Sequence, residues 1–136
     1  MNRRNKMISI FILVLAMVVI SVINNPLMRT QRAIHRNLLS LTPIGTSMEE
    51  VLYIAEGNRG WTIRYVFEDR GVLRHHVRYA YSNSNPPFPE IIGEQSMRIH
   101  LGTYHAIFRV DVTAHYVFDE NGELFDIFVR KHIDVL

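Results

Sequence analysis

The stretch HAIFRVDVTAHYVF, residues 105–118, carries the strictest alternation in the chain. Ala106, Phe108, Val110, Val112, Ala114, Tyr116 and Phe118 fall on one side of an extended backbone, and His105, Ile107, Arg109, Asp111, Thr113 and His115 on the other. A period of two over this length predicts a β-strand with one face in a core and one face wetter. Asp119-Glu120-Asn121-Gly122 follows with the Asn-Gly signal of a hairpin. The return strand then places Phe125, Ile127, Val129 and Ile133 inward, with Asp126, Arg130 and His132 outward.

Upstream, Met97, Ile99 and Leu101 form a shorter alternating strand that ends near Gly102. Trp61, Ile63, Tyr65 and Phe67 alternate with Thr62, Arg64 and Glu68, giving another half-buried strand. Asp69-Arg70-Gly71 turns the chain, and residues 72–82 return with Val77, Tyr79 and Tyr81 on one side. The segment NSNPPFPEIIG, residues 83–93, reads as a loop within the domain, because the chain beyond it is too short for a core of its own.

Two helices precede the strands. Leu27, Ile34, Leu38 and Leu41 make one apolar stripe, with Arg29, Arg32 and Arg36 away from it. Those arginines suit either the solvent side of a core helix or a helix lying on anionic headgroups. After a turn with Pro43 and Gly45, Ser47-Met48-Glu49-Glu50 forms a capping box, and Met48, Val51, Leu52 and Ala55 form the next buried stripe. Gly57 is placed to stop that helix. The fold class is therefore α+β: an N-terminal transmembrane helix, then two helices on one face of a roughly four-stranded antiparallel sheet.

The N-terminal segment MISIFILVLAMVVISVI, residues 7–23, is apolar apart from Ser9 and Ser21 and follows Arg3, Arg4 and Lys6. As a helix it spans roughly 26 Å, near the lower limit for a hydrocarbon core. A cleaved signal peptide is the competing reading, but residues 20–25 offer no pair of small residues for cleavage. The expected organisation is a signal-anchor over residues 1–25 and an extracytoplasmic domain over residues 26–136. The basic N-terminus places itself in the cytoplasm, although Arg29, Arg32 and Arg36 follow on the other side. The expected location is the cell membrane, crossed once.

Charge and composition narrow the function. The isoelectric point near 9.2 comes from the tail: without Arg3, Arg4 and Lys6, twelve basic residues face thirteen acidic ones. Such a domain lacks the concentrated positive field that nucleic acid requires. There is no cysteine, which removes disulfides, thiolate metal sites, thiol nucleophiles and a lipid-attachment cysteine. An exported domain without disulfides suits a bacterial envelope better than a small secreted eukaryotic domain.

Two short motifs resemble those of the BamE/SmpA-like lipoproteins of the bacterial envelope. Pro43-Ile44-Gly45-Thr46-Ser47-Met48-Glu49-Glu50-Val51 looks like the family's Gly-Met-Thr-x-Glu-x-Val helix start. Tyr116-Val117-Phe118-Asp119-Glu120-Asn121-Gly122-Glu123-Leu124 looks like its Phe-Asp-x-x-Gly-x-Leu hairpin. The resemblance implies a helix-helix-strand-strand-strand fold and a role in binding proteins rather than in catalysis. The chain departs from that pattern in lacking the lipid-attachment cysteine, in carrying Ala55-Glu56-Gly57-Asn58 where Leu-Gly-x-Pro often follows, and in an additional strand.

No catalytic constellation stands out. There is no nucleophile elbow and no phosphate-binding glycine loop. Asp111 and His115 lie four apart on one strand, about 13 Å by strand rise. Seven histidines keep open a metal-dependent or histidine-based enzyme on the polar sheet face, yet arginines on that face repel a cation. The expectation is a binding or scaffold domain with no cofactor, partnered by the bilayer and by an envelope protein. Its recognition residues are His76, Arg109, Asp111 and His115 on the sheet, with Phe88 in the proline-rich loop.

Overall fold

The computed structural model describes residues 3–73 and 91–134. In order these form α1 (Arg3–Asn24), a 3-10 turn (Pro26–Met28), α2 (Gln31–Leu41), α3 (Met48–Gly57), β1 (Thr62–Phe67), β2 (Val72–Leu73), β3 (Ile91–Ile92), β4 (Gln95–His105), β5 (Arg109–Phe118) and β6 (Leu124–Asp134). The strand expected over 72–82 and the proline-rich loop fall mostly outside the described residues, and so do Val77, Tyr79 and Tyr81.

β1, β4, β5 and β6 make one antiparallel sheet in the order β1-β4-β5-β6, and β2 pairs with β3 as a separate ribbon. α2 and α3 cover one sheet face. Ile34 and Leu38 of α2 and Val51 and Ala55 of α3 pack on Met97, Ile99, Val112, Ala114, Tyr116, Ile127 and Val129. The architecture is the expected α+β arrangement of helices on a four-stranded antiparallel sheet. The other face is apolar only at one end, where Val72 and Ile92 of the ribbon pack on Val117 and Phe128.

The helix starts follow from side-chain capping. Ser47 Oγ accepts from the Glu50 amide at 3.3 Å, as the capping box predicts. α2 begins at a cap that the hydrophobic stripe does not reveal: Thr30 Oγ1 accepts from the Ala33 amide at 3.2 Å. The stripe also ends one residue later than expected. Leu41 closes α2 exposed, while Thr42 is fully buried and its hydroxyl donates to the Leu38 carbonyl at 2.8 Å.

Strand parity needs more correction, because three one-residue bulges interrupt the ladders. In β1, Ile63 faces Ile99 and Tyr65 faces Arg98, so Arg64 is extra. Trp61 and Ile63 therefore stay with the core, while Tyr65 moves to the opposite face. In β4 the shift lies between His100 and Gly102. In β6, Val117 pairs with Asp126 and Phe118 with Leu124, so Phe125 is the extra residue. Phe125 is 57% exposed and Leu124 takes the core position assigned to it. Ile133 keeps the expected parity but lies beyond the cover of the helices and is exposed. The long strand also starts later than its alternation suggests. Residues 106–108 form the turn of the β4–β5 hairpin, closed by the Ala106 amide on the Phe108 carbonyl at 3.1 Å, and Phe108 is exposed.

α1 is 22 residues long, about 33 Å, against a hydrocarbon core of about 30 Å. It is long and apolar enough to cross a membrane, and none of the segment Arg4–Ser21 is buried in the protein. The two serines in it return their hydroxyls to the helix: Ser9 to the Asn5 carbonyl at 3.0 Å and Ser21 to the Met17 carbonyl at 2.9 Å. An apolar solvent demands that kind of internal satisfaction. The 3-10 turn seats the exit of α1 on the sheet. Leu27 packs against the core, and Gly102, at φ 141°, allows it: a Cβ there would lie 2.8 Å from Leu27 Cδ1.

Gly102→Ala is expected to destabilise the full chain in detergent by about 1–3 kcal/mol, read by chemical denaturation. A Leu27→Ala change in the same chain should recover part of that loss, and strict additivity would count against the contact. Tyr116 offers a second check. Its hydroxyl is buried beside Thr42 without hydrogen-bond geometry, and burial pushes its pKa up to about 12. The folded state thus keeps a proton that the unfolded chain loses above pH about 10, so this residue's contribution falls as pH rises from there. Tyr116→Phe should raise stability by up to about 1 kcal/mol and flatten that alkaline loss.

Candidate binding face

The face away from α2 and α3 is built row by row from the sheet register. Tyr65, Arg98, His115 and Phe128 lie side by side across β1, β4, β5 and β6. The next row holds His100, Thr113 and Arg130, and the one after it Thr103, Asp111 and His132. His105, Arg109 and Asp134 end the series beside the β4–β5 turn. Two adjoining hollows occupy this face, of about 270 and 450 Å³, and both are lined by Tyr65, Arg98 and Arg130. The smaller runs under Arg70, Val72 and Leu73; the larger runs over Arg64, His100, Asp111 and His132.

The acidic groups of this face are already engaged. Asp111 accepts a hydrogen bond from Thr103 Oγ1 and lies 3.6 Å from His100 Nε2 and 3.5 Å from Arg109 Nη2. The Thr103 hydroxyl, with help from Arg109 and His100, holds the Asp111 carboxyl below its ordinary pKa against the opposing effect of desolvation. Asp134 meets His132 Nε2 at 3.2 Å and Arg109 Nε at 3.8 Å.

The basic groups are less engaged. Among the described residues, no carboxylate pairs with Arg64, Arg98 or Arg130. Arg98 instead lies 6.0 Å above the Tyr65 ring, Tyr65 stacks on Phe67 at 5.9 Å, and Arg70 lies 5.2 Å from the Phe67 ring. Guanidinium groups held over aromatic rings are partly oriented in advance and keep their donors for an anion. The arrangement suits recognition of carboxylates beside a flat apolar strip.

Of the expected recognition residues, Arg109 and Asp111 are brought together, at the end of the face near the β4–β5 turn. His115 lies on the same face but is only 9% exposed, so it forms the floor of the smaller hollow rather than a projecting contact. His76 and Phe88 lie outside the described residues. Strand parity alone marks Arg98 and Arg130 as polar-face residues, and their lack of a carboxylate partner among the described residues emerges only from the register. Arg64 falls on the polar side by parity, but Tyr65 is not legible as a site residue, because the β1 bulge that brings it to this face leaves no trace in the alternation. Among the described residues, no three His, Asp or Glu side chains gather as a metal-binding set. No known protein family, curated protein or solved structure matches the chain.

The depressed pKa of Asp111 stabilises the fold above the ordinary carboxylate range, and that contribution is lost as pH falls through its folded value. Thr103→Val removes the first cause of the depression. The Asp111 carboxyl, followed by carbon NMR, should then titrate closer to an ordinary aspartate, and acid unfolding should begin at higher pH. An unmoved titration would show that the hydroxyl does not set it.

Proposed function

We propose that the chain is a membrane-anchored, extracytoplasmic binding domain of the cell envelope, without catalytic activity, whose arginine-lined sheet face captures an acidic segment of a protein partner. One observation carries this reading: Arg64, Arg98 and Arg130 line a single hollow and no carboxylate among the described residues pairs with them, while Asp111 in that hollow already lies against Arg109 and His100. Positive groups left over on a concave face favour a negatively charged ligand, and a polypeptide matches the length of a trough that crosses several strands. The apolar run of α1 supports the anchor, and Arg3, Arg4 and Lys6 at the start of that helix support a cytoplasmic N-terminus. Tethering concentrates the domain near partners in the same membrane, so modest intrinsic affinity suffices.

The resemblance to BamE/SmpA-like proteins agrees with a binding role. Its two motifs have local structural duties in this chain. Ser47 caps α3, and Asp119 Oδ1 accepts from the amides of Asn121 at 2.9 Å and Glu123 at 3.0 Å to shape the β5–β6 turn.

A photo-crosslinking residue in place of Tyr65, in the full-length protein in intact cells, tests the proposal. Tyr53 on α3, 79% exposed on the helix side, is the control position. An adduct should form from position 65 and not from 53, and it should disappear with Arg98→Glu and Arg130→Glu together. In isolated membranes the capture should weaken as salt is raised. Crosslinking at 53 alone, or an adduct indifferent to charge reversal, would overturn the reading.

A further inference from the structure

We propose that the β4–β5 hairpin tip is a second membrane contact, with Ile107 and Phe108 inserting into the headgroup–acyl boundary of the bilayer that α1 crosses. The proposal rests on the membrane-anchored reading of α1.

The hairpin turn is three residues, Ala106, Ile107 and Phe108, between the paired His105 and Arg109. Ile107 is 90% exposed, the most exposed large apolar side chain among the described residues, and Phe108 beside it is also exposed. Ile133, exposed as well, pairs with Val110 two residues beyond the turn, so the apolar tip extends onto β6. A tight turn has no need of two large apolar residues: small and polar ones close it better.

The topology says what covers them. The exit of α1 is fastened at this end of the sheet. Leu27 lies against Gly102, and Lys131 Nζ donates to the Arg29 carbonyl at 2.7 Å and contacts Tyr104 Oη at 3.2 Å. From there α2 carries the chain toward the opposite end, where His35 meets Asp126 at 3.5 Å and the Gly45 amide reaches the Leu124 carbonyl at 2.8 Å. The bilayer therefore lies on the hairpin side of the sheet. Leu27 is three residues from the end of α1, at most about 10 Å of chain. The tip extends about 16 Å past Gly102 by strand rise, enough to return to the boundary the chain has just left. Arg29 and Lys131 stand at this end as cationic groups suited to headgroup phosphates, and Arg109 beside the turn offsets Asp111 and Asp134. Because α1 already holds the domain at the surface, two side chains suffice to fix its orientation.

The absence of cysteine makes the test clean. Full-length protein carrying Ile107→Cys is labelled with an environment-sensitive fluorophore and reconstituted in phosphatidylcholine–phosphatidylglycerol vesicles. Quenching by lipids with a shallow nitroxide is compared with that of Phe125→Cys, at the opposite end of the sheet, and of Leu13→Cys within α1, read with a deep nitroxide. Position 107 should be quenched several-fold more than position 125, with an emission shift to the blue. If position 13 is quenched and position 107 is not, the proposal fails while the anchor reading stands. If position 13 is not quenched either, the anchor reading fails and the proposal falls with it. A blue shift at 107 without lipid quenching would assign the tip to a protein contact, a second copy included, and would also overturn it.

Discussion

Burial of β5 on both sides sets the positions of the remaining elements. Val112, Ala114, Tyr116 and Phe118 have no solvent exposure toward the helices, and Val117 has none toward the ribbon. A strand with that composition cannot rest at an edge, so β4 and β6 flank it and the helices must cover one face. Ile34, Leu38, Val51 and Ala55 supply the cover at the spacing a helix imposes. The opposite face needs apolar cover only around Val117, which is where Val72 and Ile92 arrive. Beyond that point, long polar side chains from β4 and β6 flank His115 and Thr113, and the sheet becomes a charged trough.

The sequence revealed most where local chemistry and tertiary need agree. Ser47 caps α3 where the capping box predicts, and the Asp119–Gly122 turn forms where Asn-Gly stands, with Gly122 at φ 73°. The helical stripes name four of the core residues correctly, and the alternation of residues 110–118 identifies the central strand. These signals depend on neighbours within a few residues, so a one-dimensional reading has access to them.

Failure was concentrated at single-residue insertions. Each bulge reverses the parity of everything beyond it relative to the partner strand, and its cause lies in that partner rather than in the strand itself. Alternation continued through a bulge puts both Tyr65 and Phe125 in the core, and the register removes them from it. The same blindness hid the trough: the company of Arg98 and Arg130 depends on which residues of β1 and β5 stand opposite. Side-chain identity told us that the face was polar, and only register told us which charges were left over.

Under the anchoring proposed above, the bulge at Arg64 also bears on how tethered copies would share a crowded surface. β1 is an outer strand of the main sheet among those described, and molecules held at one bilayer meet in a thin layer rather than in free volume. A straight, regular outer strand in that setting is a template for lateral zippering between neighbours. The extra residue bends the strand, breaks the even spacing of its outward amides and carbonyls, and puts a guanidinium at the break. The irregularity that turns Tyr65 onto the trough face thus makes the adjacent edge a poor partner for its own kind.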